Sequence, residues 1–122
     1  MKYAILLAFV IFSFGKINAQ SEYKITQKKE TYRLVISFIS KGSGIDGKTA
    51  EKVEGFLKNH PKKPAYETCR MGREGEFSYL LQLKELPKHE QKKFIKELEE
   101  QVGDKDLVHI SENKLFESPC RG

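Results

Sequence analysis

Thr31-Tyr32-Arg33-Leu34-Val35-Ile36-Ser37-Phe38-Ile39-Ser40 runs directly into Lys41-Gly42-Ser43-Gly44-Ile45-Asp46. The first segment is rich in β-branched and aromatic residues, with Leu34, Ile36 and Phe38 on one phase and Val35, Ser37 and Ile39 on the other. It is apolar on both faces and more so on one, which predicts a strand in the middle of a sheet. The glycine-rich segment must then be a loop, and Asp46 is a good N-cap for a following helix.

Working toward the C-terminus, Ala50, Val53, Phe56 and Leu57 recur at helical spacing between Gly47 and Asn59, and His60-Pro61-Lys62-Lys63-Pro64 stops that helix. Ala65–Met71 reads as a second strand, Gly72-Arg73-Glu74-Gly75 as a hairpin turn and Glu76–Leu83 as a third strand. Pro87 opens a second helix with Phe94, Ile95, Leu98 and Val102 inward, and Gly103 ends it. Leu107–Ser111 is a fourth strand, followed by a tail to Gly122. The order βαββαβ predicts an α+β domain of the ferredoxin-like sandwich type, a four-stranded antiparallel sheet with both helices on one face.

Toward the N-terminus, residues 20–30 are a polar, lysine-rich lead-in, although Tyr23 and Ile25 could extend the first strand. Met1-Lys2 precedes an apolar run to Phe14, and Asn18-Ala19-Gln20 offers a small-residue cleavage site. That is the layout of a secretory signal over residues 1–19, and the run falls short of the ~20 residues a membrane span needs. Cleavage would remove Lys2 and Lys16 and lower the formal charge from +5 to +3. The expected product is exported, periplasmic or extracellular, monomeric and without a stable membrane anchor. Residues 31–122 form its single domain, tail included.

Several chemistries can be set aside. Gly42, Gly44 and Gly47 fit G-x-G-x-x-G, with Glu67 in the place of the distal acid. That fingerprint belongs to a parallel sheet with a second nucleotide-binding half, whereas here a hairpin follows and the chain is short. His60, His89, His109, Cys69 and Cys120 have no ligand spacing, so no metal or other cofactor is expected. No nucleophile motif and no defensible acid–base pair occurs, and a non-enzymatic chain is expected. Lysines interleaved with glutamates argue against nucleic acid.

Two features remain as candidate sites. On the expected topology, the Gly42–Gly47 loop and the Gly72–Gly75 hairpin share one end of the sheet, which would offer Ser43, Asp46, Arg73 and Glu74 to a ligand. The other end gathers Lys58, His60, Lys62, Lys63, Lys84 and Lys88, a basic pole suited to a polyanionic ligand or an acidic protein. Simple solubility would explain the same lysines.

Cys69 and Cys120, in an exported chain, read as one intramolecular disulfide. In the expected sandwich their strands are opposite edges. The tail would therefore have to cross the helix-free face as a strap, laying Leu115 and Phe116 over Val35, Ile39 and Leu80.

The segment Ser37-Phe38-Ile39-Ser40 leading into Gly42-Ser43-Gly44-Ile45-Asp46, with Gly72-Arg73-Glu74-Gly75-Glu76 and the Asn18-Ala19-Gln20 junction, resembles small exported proteins of Bacteroidetes-type bacteria that have no assigned activity. The resemblance implies an exported location and carries no catalytic residue. The expected function is an exported binding domain. The alternative is an inhibitor or immunity-type protein that blocks a partner enzyme with the tail Leu115–Gly122.

Overall fold

The structure, a computed structural model, describes residues 24–121; the expected signal segment and its cleavage site lie outside the described residues. The elements are β1 (Ile25–Phe38), α1 (Gly47–Asn59), β2 (Tyr66–Arg70), β3 (Phe77–Leu81), α2 (Lys88–Val102) and β4 (Val108–Arg121). This is an α+β chain with four antiparallel strands and two helices.

Local chemistry fixes the helix ends. The Asp46 carboxylate accepts from the Thr49 backbone N–H at 3.1 Å and from the Thr49 hydroxyl at 2.7 Å, capping α1. Pro87 occupies the N-cap of α2 without a side-chain cap. Gln91 instead ties the preceding loop to the first turn of α2, its amide donating to the carbonyls of Leu83 and Leu86. Gly103 adopts φ 68° and donates its N–H to the Glu99 carbonyl, ending α2.

The helices share one core with the sheet: Val53 and Leu57 of α1 and Phe94, Ile95, Leu98 and Val102 of α2 meet Leu34, Ile36, Phe38, Tyr79 and Leu81. Burying side chains of this size stabilises by roughly 1.5–3 kcal/mol each.

Three expectations need correction. Residues 25–30 are not a loose lead-in, and the tail is not a strap. Both belong to one long antiparallel ribbon, in which β1 pairs with β4 from Ile25↔Arg121 to Phe38↔Val108. Nor do β2 and β4 stay apart as the edges of an open sandwich. They meet at Arg70↔Arg121, and the sheet closes in the order β1-β3-β2-β4.

A change of face within the ribbon explains the closure. Alternate residues of a regular strand share a face, so Tyr32 and Leu34 should point the same way. Both are fully buried, yet Leu34 lies in the helix-side core and Tyr32 in a second one with Val35, Cys69, Leu80, Phe116 and Cys120. Arg33, between them, reaches the helix side, donating to Gln91 Oε1 at 2.9 Å and to Glu112 Oε1 at 3.0 Å. The break lies where pairing lapses, at Arg33 opposite Asn113, and Asn113 has φ 49°. Each strand carries one extra residue there, a paired bulge that keeps the register and reverses the faces.

Beyond the bulge the ribbon curls over the helix-free face. Phe116 meets Tyr32 edge-on at 6.5 Å, as part of the apolar cover expected over Val35 and Leu80, while Leu115 remains 53% exposed. The Cys69–Cys120 disulfide pins the end of the ribbon to β2, with Cα atoms 4.9 Å apart. The expected bridge is thus present, but paired strands bring its cysteines together.

Candidate functional site

The two glycine turns do lie at one end of the sheet, where Ser40 joins them. Its backbone N–H donates to Glu76 Oε2 at 3.0 Å and its hydroxyl to Glu74 Oε1 at 2.6 Å. The N–H groups of Gly42 and Gly44 in turn donate to the Ser40 hydroxyl oxygen, at 3.0 and 2.9 Å. Two of the loop N–H groups that could have met a phosphate are therefore already engaged.

Asp46 places a carboxylate at the N-terminus of α1, and hydrogen bonds from Thr49 hold its pKa below the usual 3.8. That charge opposes an anion at the same helix end. Ser43 and Arg73 are exposed. None of the cavities described below is lined by Ser43, Asp46, Arg73 or Glu74.

At the other end of α1, two residues of the expected basic pole, His60 and Lys62, border a groove. A cavity of about 570 Å³ lies between α1 and α2. Its apolar floor comes from Phe56, Leu86 and Phe94, and its rim from His60, Lys62, Lys93, Glu90 and Glu97. The His60 ring packs edge-on to Phe94 and Phe56, with centroids 5.1 and 6.1 Å away. Its Nδ1 accepts from the Lys62 backbone N–H at 3.1 Å, which puts the proton of the neutral ring on Nε2.

The pole is partly neutralised. Lys62 pairs with Glu90 at 3.3 Å and Lys58 with Glu54 at 3.2 Å. Lys63 is exposed, with φ 40°. Lys84 and Lys88 are exposed and make no ion pair within 4 Å among the described residues. Of the six pole residues, His60 and Lys62 line the groove, while Lys58, Lys63, Lys84 and Lys88 do not.

Sequence reasoning missed the groove because it read Phe56 only as one of the apolar positions, with Val53 and Leu57, that recur at helical spacing. Phe56 is only half-buried, and its ring lies 5.1 Å from that of Phe94 at the helix–helix seam. Gly55 was the available signal. A glycine inside a helix costs about 0.5–1 kcal/mol relative to alanine, and here it leaves one wall of the groove without a side chain.

A second polar cluster closes one mouth of the smaller core. Lys28 pairs with Glu67, and the Tyr32 hydroxyl lies 3.3 Å from carboxylate oxygens of both Glu30 and Glu67. Gln82 donates to Glu30 Oε2 and to the Thr31 carbonyl, each at 3.0 Å. Burial raises the phenol pKa of Tyr32, and the bond to Glu67 raises that of Lys28. These groups satisfy one another, and the cluster secures the start of the ribbon against β2 and the end of β3.

Among the described residues, no three or more His, Cys, Asp or Glu side chains gather as a metal site, and no helix is long and apolar enough to cross a membrane. Compared with family profiles, curated proteins and solved structures, the chain finds no match in any of the three.

Proposed function

We propose that the chain is an exported, non-enzymatic binding domain whose groove between α1 and α2 receives an acidic protein segment. The observation that carries this reading is the juxtaposition of the Phe56–Leu86–Phe94 floor with Lys62 and Lys93 on the rim. An apolar side chain of the partner would occupy the floor while its carboxylates meet the lysines, exchanging Glu90 as the partner of Lys62. Lys63, Lys84 and Lys88 would steer the approach from outside the groove.

Two other expectations have less in their favour. As sites, the glycine turns have Glu74, Asp46 and the Gly42 and Gly44 N–H groups already bonded, while Ser43 and Arg73 line neither cavity described above or below. For the inhibitor reading, Leu115–Arg121 is paired in β4 and Cys120 is tied to Cys69, so that segment is not free to insert. For the architecture, the ferredoxin-like sandwich remains our reading of the helix-side layer. The element order and the adjacency of β1 to both β3 and β4 support it, and the closed ribbon is an addition.

The test is anisotropy of a labelled acidic peptide bearing one aromatic residue, titrated with the purified protein at low salt. Exchanging Lys62 and Lys93 together for glutamate should weaken binding at least about tenfold, and moderate salt should weaken it for the unaltered protein. Arg73→Glu, at the far end of α1, should leave it unchanged. Binding indifferent to the Lys62 and Lys93 exchange would overturn the proposal.

A further inference from the structure

A smaller cavity on the opposite flank of α1 has a different chemistry. It measures about 140 Å³ and is lined by Tyr66, Thr68 and Arg70 of β2, Phe77 and Tyr79 of β3, and Glu54 of α1. Cross-strand register brings these residues together: Thr68 faces Tyr79 and Arg70 faces Phe77.

Three of the lining side chains are aromatic and stand nearly at right angles. Tyr66 meets Tyr79 at 79° with centroids 5.1 Å apart, and Phe77 meets Tyr79 at 76° and 5.0 Å. Tyr79 is thus a buried floor, with Tyr66 and Phe77 as half-exposed walls. Fully buried Phe38 stacks on Phe77 at 4.8 Å and supports that wall from the core.

We infer that this corner is a binding site for a methylated ammonium group carrying a nearby anion, as in a betaine or a phosphocholine. Aromatic faces present negative quadrupole potential, and rings set on several sides of a cation hold a poorly hydrated quaternary ammonium better than a hydrated one. The Glu54 carboxylate borders the same space and supplies the formal countercharge. One of its oxygens is engaged by Lys58 at 3.2 Å.

Arg70 would be a liability for a simple cation. For a zwitterion it is the partner of the carboxylate or phosphate. The volume is well below the ~300–1,000 Å³ of pockets for drug-sized ligands, which suits a head group. Burial, and then the field of Glu54, push the Tyr79 phenol up to about 12, so the floor stays neutral throughout the physiological range.

The site is separate from the groove between α1 and α2 and stands or falls on its own. Its test is a titration of the purified protein with glycine betaine and with tetramethylammonium, following the aromatic ring resonances by NMR. The control is 3,3-dimethylbutyrate, in which carbon replaces the charged nitrogen. Betaine should shift the rings of Tyr66 and Phe77 saturably, and the isostere, which keeps the carboxylate but has an uncharged tert-butyl end, should bind at least about tenfold more weakly.

Glu54→Gln should lose betaine and tetramethylammonium alike. Arg70→Gln should weaken betaine and spare or strengthen tetramethylammonium, an opposite response that general destabilisation cannot produce. Cosedimentation with phosphatidylcholine vesicles then separates sources: pelleting identifies a lipid head group, and its absence beside betaine binding identifies a soluble solute. Equal binding of the isostere, or no saturable shift with either cation, overturns the inference.

Discussion

Gly55 offers the sharpest test of the groove, because one methyl group should act on stability and binding in opposite senses. The residue lies inside α1, and a Cβ built there meets only Asn59 Nδ2, at 4.0 Å. Alanine therefore fits without strain and removes the entropic cost of glycine in a helix, about 0.5–1 kcal/mol. For a domain of this size that corresponds to a rise in melting temperature of about 2–8 °C. Thermal unfolding followed by far-UV circular dichroism measures it. The same methyl projects into the groove, so affinity for the acidic peptide should fall as stability rises. Gly55→Leu should abolish peptide binding while keeping the helical spectrum. A lower melting temperature for Gly55→Ala would refute the open helical geometry at this position. Undiminished peptide binding by Gly55→Leu would show that the groove is not the site.

Three further outcomes probe the frame that holds the sites. Replacing both cysteines with serine should cost about 4 kcal/mol, the chain-entropy value for a loop closed across 51 residues, and two free thiols in unreduced, denatured protein would refute the bridge. Asp46→Ala should cost about 1 kcal/mol through loss of the α1 cap, and denaturant titration at neutral pH reads it. Because the folded-state pKa of Asp46 is depressed, its contribution is complete above the usual 3.8 and is lost as pH falls through the folded value. Equal stability of the Asp46→Ala and unaltered proteins at neutral pH would therefore refute the capping role. At Asn113, φ 49° is easy for glycine and costly for a β-branched residue, so Asn113→Val should destabilise by roughly 1–3 kcal/mol while Asn113→Gly is neutral or mildly stabilising. Equal urea midpoints for the two variants would remove the bulge as the cause of the face change.

The helix-side layer was legible because every signal for it is local. Asp46 caps, Gly103 stops, and the apolar residues of both helices and of Leu34–Phe38 fall on single phases. The ribbon was not legible, for a physical reason. Residues 25–31 and 112–121 are mostly polar and show no alternation that marks a strand, since each of their outer halves buries little beyond Tyr32, Phe116 and Cys120. Their pairing is a long-range property that neither segment announces alone. Even within the legible strand, Tyr32 shares its parity with Leu34 and would be assigned to the helix-side core. Only the unpaired Arg33–Asn113 position sends it to the other side.

The same contrast governs the sites. The basic-pole reading used only residue type and the expected end of the fold, whereas the groove depends on which side of α1 Phe56 occupies, and the aromatic corner depends on cross-strand register. Tyr66, Phe77 and Tyr79 are unremarkable strand residues in the sequence. They become a floor and two walls because β2 and β3 pair with Thr68 opposite Tyr79, and because α1 brings Glu54 to their rim. The disulfide contributes to this placement indirectly. Cys69 lies on β2 between Thr68 and Arg70, with its side chain on the opposite face, so the bridge to Cys120 anchors the strand that supplies half of the corner. The covalent tie and the proposed ligand thus act on the two faces of one five-residue strand, β2. If both assignments hold, reduction of Cys69–Cys120 should weaken betaine binding before the helix-side core unfolds, because that core contains no residue of the bridge.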